Sequence, residues 1–143
     1  ARSLDTNLWS AHRVARHAIP HLTAAGGGAI VMIATIWGRE AGGAPGYNVA
    51  KAGVIALAKA LARDLAAANI RVNTVAPGLI DTPIYGEGEG AEMFKAKLGE
   101  SVLFPHRLGM PEELASMVVE CVTNSYMNAE TIRVDGGIRM PPK

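Results

Sequence analysis

Tyr47 and Lys51 stand four residues apart in the run Tyr47-Asn48-Val49-Ala50-Lys51, and on a helix such residues project from one face a turn apart. A phenol titrates near ~10 in water, and a neighbouring ammonium favours phenolate; bringing the phenol to about 7 needs roughly 4 kcal/mol of differential stabilisation. A tyrosine tuned in this way passes a proton to or from a substrate oxygen at neutral pH. Taken alone, a Tyr and a Lys at this spacing equally well decorate an ordinary helix. The pair acquires meaning from its surroundings.

The element that would carry it spans residues 47–68, rich in Ala, Leu and Lys and free of Pro, a good helix former. Upstream, residues 4–22 repeat apolar side chains at helical spacing, and this helix is expected to end near Pro20. Residues 29–34 form a short apolar run rich in β-branched side chains, the pattern of a strand covered on both faces in a parallel sheet. Residues 70–75 predict the next strand, stopped by Ala76-Pro77-Gly78, and residues 131–134 a last one ending at Asp135-Gly136-Gly137. Between them, residues 80–100 read as a loop with a short helix, a candidate lid made mobile by Gly86, Gly88 and Gly90. A helix follows from Pro111 to about Thr123, with Pro and acids favourably placed at its start. Alternating strands and helices predict an α/β, Rossmann-like doubly wound parallel sheet with right-handed connections.

Composition removes several classes of function. The 14 basic and 13 acidic residues nearly cancel, and no basic stripe interleaved with aromatics appears, so neither nucleic acid nor an anionic membrane is expected as a partner. No apolar run is long enough to span a bilayer and no secretory pattern opens the chain, so a soluble, cytoplasmic protein is expected. Cys121 is the single cysteine, which excludes an internal disulfide; its apolar helical setting reads as a buried small hydrophobe rather than a reactive thiol. His12, His17 and His21 read as a helix surface rather than a metal site, for want of converging acidic or Cys partners.

Taken in order, several stretches resemble the short-chain dehydrogenase/reductase family. They are Asp5-Thr6-Asn7-Leu8, the strand end Ile33-Ala34-Thr35-Ile36-Trp37-Gly38, Tyr47 to Lys51 followed by Ala52-Gly53, Asn73-Thr74-Val75-Ala76-Pro77-Gly78 with Thr82 beyond, and Val134-Asp135-Gly136-Gly137. The resemblance implies an oxidoreductase using NAD or NADP to interconvert a secondary alcohol and a ketone. It makes Tyr47 the acid/base and Lys51 the group that lowers its pKa and holds the nicotinamide ribose. Asn7 would support a water in the proton relay, Thr35 would bind the substrate oxygen, and Pro77, Gly78, Ile80 and Thr82 would border the nicotinamide. From Phe104-Pro105-His106-Arg107-Leu108-Gly109 through Ile132-Arg133-Val134 to Arg139-Met140-Pro141, the chain is similar to type II 3-hydroxyacyl-CoA dehydrogenases, whereas residues 37–46 are closer to general 3-oxoacyl reductases. Both imply a 3-hydroxyacyl or 3-oxoacyl thioester, a small-molecule substrate, and a homotetramer in which the helices at 4–22 and 47–68 pack against a symmetry mate.

Three departures accompany the resemblance. Thr35 stands where the family usually has Ser, and its added methyl restricts χ1 and crowds the site; the loop from Thr35 to Tyr47 is also one residue short. A catalytically impaired member acting as a binding or scaffold protein is therefore the alternative reading. The family's T-G-x-x-x-G-x-G phosphate turn does not occur in these residues. The expectation is that residues 1–143 are the C-terminal catalytic part of one Rossmann-type domain, with nucleotide-binding strands missing ahead of Ala1. Met32 and Trp37 read as packing residues, and His106 and Arg107 as a solvated loop rather than contacts for an acyl carrier or CoA phosphate.

Overall fold

The computed structural model describes residues 2–138, so the similarity carried by Arg139-Met140-Pro141 lies outside the described residues. The chain runs α1 (Arg2–Leu4), a π-helical turn (Asp5–Trp9), α2 (Ser10–Ala24), β1 (Gly28–Ile33), α3 (Pro45–Asp64), β2 (Ile70–Pro77), α4 (Glu89–Gly99), α5 (Pro111–Thr123) and β3 (Thr131–Val134). Short 3-10 turns occupy Ile36–Gly38, Ala66–Ala68 and Pro83–Tyr85.

The three strands form one parallel sheet in the order β1-β2-β3. Register pairs Ile30 with Val72 and Met32 with Thr74, so Ile30, Met32, Ile70 and Val72 share a face. That face carries the main core, where Ala15 of α2 and Val54, Ala58 and Ala62 of α3 are buried. Alanines at this contact let α3 lie close to the sheet. On the opposite face Arg71 reaches α5 and donates to the Cys121 and Val122 carbonyls at 2.8 Å each, satisfying orphan carbonyls at that helix's end. Helices thus cover both faces of a parallel sheet, the expected α/β architecture. Cys121 is fully buried.

Two sequence expectations differ from the structure. The helix does not end near Pro20 but continues to Ala24. Pro20 is exposed, where water can take the Arg16 carbonyl that the missing N–H orphans. The added turn brings Leu22 onto the core, so close to Gly28 that a Cβ there would lie 2.9 Å from Leu22 Cδ2. Second, β1 has helices against both faces but is less deeply buried than expected. Ile33 is 45% exposed, and only Met32 is buried along its length, because β1 is an edge of this sheet while β2 is its centre.

Candidate active site

The site grows from the carboxyl ends of β1 and β2. At the end of β1 the Ala34 N–H donates to the Val75 carbonyl at 2.9 Å, continuing the ladder one step past the strand. Thr35 follows in extended conformation and begins the 3-10 turn, with its Oγ1 accepting from the Trp37 N–H at 3.5 Å. The hydroxyl is nearly buried, at 9% residue exposure, yet it lines the cavity described below.

Pro45 at the first turn of α3 suits a helix start, and it sets Tyr47 and Lys51 on successive turns facing Thr35. Lys51 Nζ donates to the Ile33 carbonyl at 2.9 Å and stands over the Tyr47 ring, 5.8 Å from its centroid. Burial pushes the Tyr47 phenol above its ordinary value and the Lys51 ammonium below its own. The expectation that Lys51 lowers the Tyr47 pKa is therefore corrected: burial pushes the phenol up. The ammonium is engaged by a backbone carbonyl and lies over the ring, and desolvation of the phenol governs the shift.

At the end of β2 the Gly78 N–H donates to the Val134 carbonyl at 2.9 Å. A Cβ on Gly78 would lie 2.7 Å from Asp135 Cα, so the close approach of two chain segments requires glycine. Ile80 forms an isolated parallel bridge with Gly109, made by Gly109 N–H to the Leu79 carbonyl and Asp81 N–H to the Gly109 carbonyl at 2.9 and 2.8 Å. This pattern directs the peptide groups of Ile80 itself the other way. Thr82 precedes the Pro83–Tyr85 turn without using its side chain as a cap.

Thr35, Tyr47, Lys51, Pro77, Gly78, Ile80 and Thr82 line a single open cavity of about 760 Å³. Asn7 is not among its lining residues. It sits in the π-helical turn, half-buried, donating through Nδ2 to the Ser3 carbonyl at 3.0 Å. That turn packs on α3, where a Cβ on Gly53 would lie 2.8 Å from Leu8 Cδ2.

Sequence reasoning missed the apolar wall. Leu114, Ala115, Val118 and Val119 of α5 line the cavity, as do Ile84 and Tyr85. The spacing of Leu114 with Val118 and of Ala115 with Val119, four apart, was the available signal. Missed too was Trp37, read as packing only, which lines the cavity and meets the Tyr47 ring edge-on at 6.4 Å. The start of α5 is fixed by Glu113, which accepts from Arg107 at 2.9 Å through each carboxylate oxygen and from the Met110 N–H at 2.7 Å. The Arg107 guanidinium, with the Met110 N–H, holds the Glu113 carboxyl down to about 2.

Glu40, in the loop between Thr35 and Tyr47, pairs with Arg133 of β3, which also donates through Nε to Asp135 at 2.6 Å. All three are largely buried. Among the described residues no group of His, Cys, Asp and Glu is placed to hold a metal ion, and no helix is long and apolar enough to cross a membrane.

A family model described as enoyl-(acyl carrier protein) reductase matches residues 1–139. This chain belongs to the short-chain dehydrogenase/reductase family. Among members of that family, the 3-hydroxyacyl-CoA dehydrogenase type-2 of Bos taurus is 42% identical over 100 residues, covering 70% of this chain and 38% of that protein. The 3-oxoacyl-(acyl-carrier-protein) reductase FabG of Chlamydia pneumoniae is 37% identical over 142 residues, covering 94% of this chain and 54% of that protein. Among solved structures, the 3-hydroxyacyl-CoA dehydrogenase type-2 of Mycobacterium avium superposes with a TM-score of 0.91 at 42% identity, over 99% of this chain and 57% of its own. The L-sorbose reductase of Gluconobacter frateurii, complexed with NADPH and L-sorbose, superposes with a TM-score of 0.86 at 32% identity, over 95% of this chain and 56% of its own. The chain thus spans 38% to 57% of the length of these relatives.

Proposed function

We propose that residues 1–143 are the catalytic part of one Rossmann-type domain in an NAD- or NADP-dependent oxidoreductase that interconverts a secondary alcohol and a ketone. The substrate is a 3-hydroxyacyl or 3-oxoacyl thioester. The observation that carries this reading is the meeting of Thr35, Tyr47 and Lys51 with the chain from Pro77 to Thr82 around one cavity. The names of the similar dehydrogenases and reductases support the substrate, and Leu114 to Val119 give the cavity an apolar wall.

The donors present fit a nicotinamide cofactor. Lys51 would hold its ribose, Pro77 and Gly78 its ring face, and the Ile80 backbone with the Thr82 hydroxyl its carboxamide. When bound, the cofactor supplies or accepts the hydride. The chain's own residues handle the oxygen. Thr35 Oγ1 accepts from Trp37, which leaves its hydroxyl hydrogen free to donate to the substrate oxygen. Tyr47 Oη gives that oxygen a proton in reduction and removes it in oxidation. Its raised pKa keeps the phenol protonated at neutral pH, the form that reduction consumes. Asn7, on the turn packed against α3, would support the water that resupplies the proton.

Assembly as a homotetramer through α2 and α3 belongs to the same reading, and the exposed Trp9, Val14 and Val49 are apolar side chains on or next to those helices. The alternative, a family member that binds ligands with little or no turnover, draws on Thr35 and on the half-buried Tyr47, whose phenol burial pushes up. Turnover decides between them. The intact protein carrying this sequence, supplied with 3-oxobutanoyl-CoA and NADH or NADPH, is expected to consume the reduced cofactor; ligand binding without turnover overturns the enzymatic reading in favour of the alternative.

A further inference from the structure

Trp37 touches both Thr35 and Tyr47. Its backbone N–H donates to Thr35 Oγ1, and its indole meets the Tyr47 ring edge-on, with planes at 79°. The ring is also a wall of the cavity. It is held from behind by the chain that follows it. A Cβ on Gly42 would lie 2.3 Å from Trp37 Nε1, and one on Gly43 would lie 3.1 Å from Cε3 and 3.3 Å from Tyr47 Cδ1. Backbone therefore lies directly against the indole and blocks its retreat. Nε1 is buried there with no hydrogen-bond acceptor. An unpaired buried donor is unfavourable, so the indole is a costly choice for filling space alone, and what it adds over a smaller ring is bulk at the cavity wall.

The reacting oxygen must lie within hydrogen-bond reach of both Thr35 and Tyr47. The carbon bearing it then lies close to the residue that joins them. One substituent of that carbon runs toward the apolar wall of α5 and the cavity mouth, and the other meets the indole. We infer that Trp37 is a specificity-determining residue: its indole closes the cavity beside Tyr47 and Thr35 and admits ketones whose inner substituent is small and unbranched. This rests on the alcohol–ketone reading above and narrows it to short 3-oxoacyl thioesters.

The test compares the intact protein with its Trp37→Phe and Trp37→Val variants on two thioesters, 3-oxobutanoyl-CoA and 3-oxo-4-methylpentanoyl-CoA, which place a methyl or an isopropyl group beyond the ketone. Both kcat/KM and the calorimetric Kd in the presence of oxidised cofactor are measured. The wild type is expected to favour the methyl ketone, and Trp37→Val to narrow that preference by about tenfold or more, the scale set by small changes in an apolar pocket. Trp37→Phe, which keeps a ring against Tyr47, is expected to narrow it by about threefold and decides the matter should Trp37→Val not fold. A preference unchanged in every folded variant overturns the inference. If neither thioester is turned over or bound, the same comparison on butan-2-one and 3-methylbutan-2-one separates the two claims. Discrimination there that relaxes at Trp37 upholds the wall while the thioester reading fails, and discrimination that stays constant overturns the wall.

Discussion

The Lys51 ammonium stands over the Tyr47 ring, 5.8 Å from its centroid, and gives a hydrogen bond to the backbone carbonyl of Ile33. Proximity of an amine is therefore not enough to make this phenol acidic; burial works in the opposite sense on both groups. Tyr47 is expected to ionise above the ordinary phenol range, pushed up by burial. Ultraviolet titration of wild type against Tyr47→Phe reads this directly, since only the wild type gains absorbance from this residue. Raised pKa favours the proton donor, so ketone reduction should hold level through neutral pH and fall as the phenol ionises, while alcohol oxidation should rise over the same range. A difference spectrum developing near pH 7 without cofactor contradicts the assignment.

Replacing Tyr47 by Phe removes the proton donor and keeps the ring that meets Trp37. Turnover should fall by about 10²- to 10⁴-fold, with the thermal midpoint within a few degrees of wild type. Retained turnover means that another group moves the proton.

Thr35 is tested by a pair of variants. Thr35→Ala removes the hydroxyl that would hold the substrate oxygen and should lower kcat by about 10²-fold, within the range for loss of one transition-state donor. Thr35→Ser keeps the hydroxyl and relieves the χ1 restriction, so it should match or exceed wild type. A serine variant as inactive as the alanine one favours the binding-protein alternative.

Gly78→Ala probes the floor. The added Cβ would meet the Asp135 backbone at 2.7 Å, which neither segment can yield cheaply. A loss of about 1–3 kcal/mol is expected by denaturant unfolding, together with weaker nicotinamide binding. A variant as stable as wild type shows that the approach of these segments is looser than the structure has it.

How much of this was legible follows from where information is local. The central strand announces itself because Ile70, Val72 and Val75 are buried and β-branched, and α5 because Pro111 and two acids mark its start. Tyr47, Lys51 and Thr35 were found from motif order and do meet in one cavity. Pro20 misled because the residue's local penalty was weighed without the packing of Leu22, which is set by a strand six residues later. β1 is less deeply buried than expected for a related reason: an apolar run states what can be buried, while strand order decides how deeply it is. Trp37 was undervalued because an aromatic in a loop carries no periodicity. Only the approach of Gly42 and Gly43 gives it a place.

Arg133 belongs to β3 at one border of the sheet, yet its guanidinium grips Glu40 in the loop that leaves β1 at the other. The same group holds Asp135, against whose backbone Gly78 rests. Roof and floor on this flank are thus cinched into one hoop around Pro77 and Gly78. Ahead of α4 the chain is not confined in this way: a Cβ on Gly86 or Gly88 would meet nothing within 4 Å.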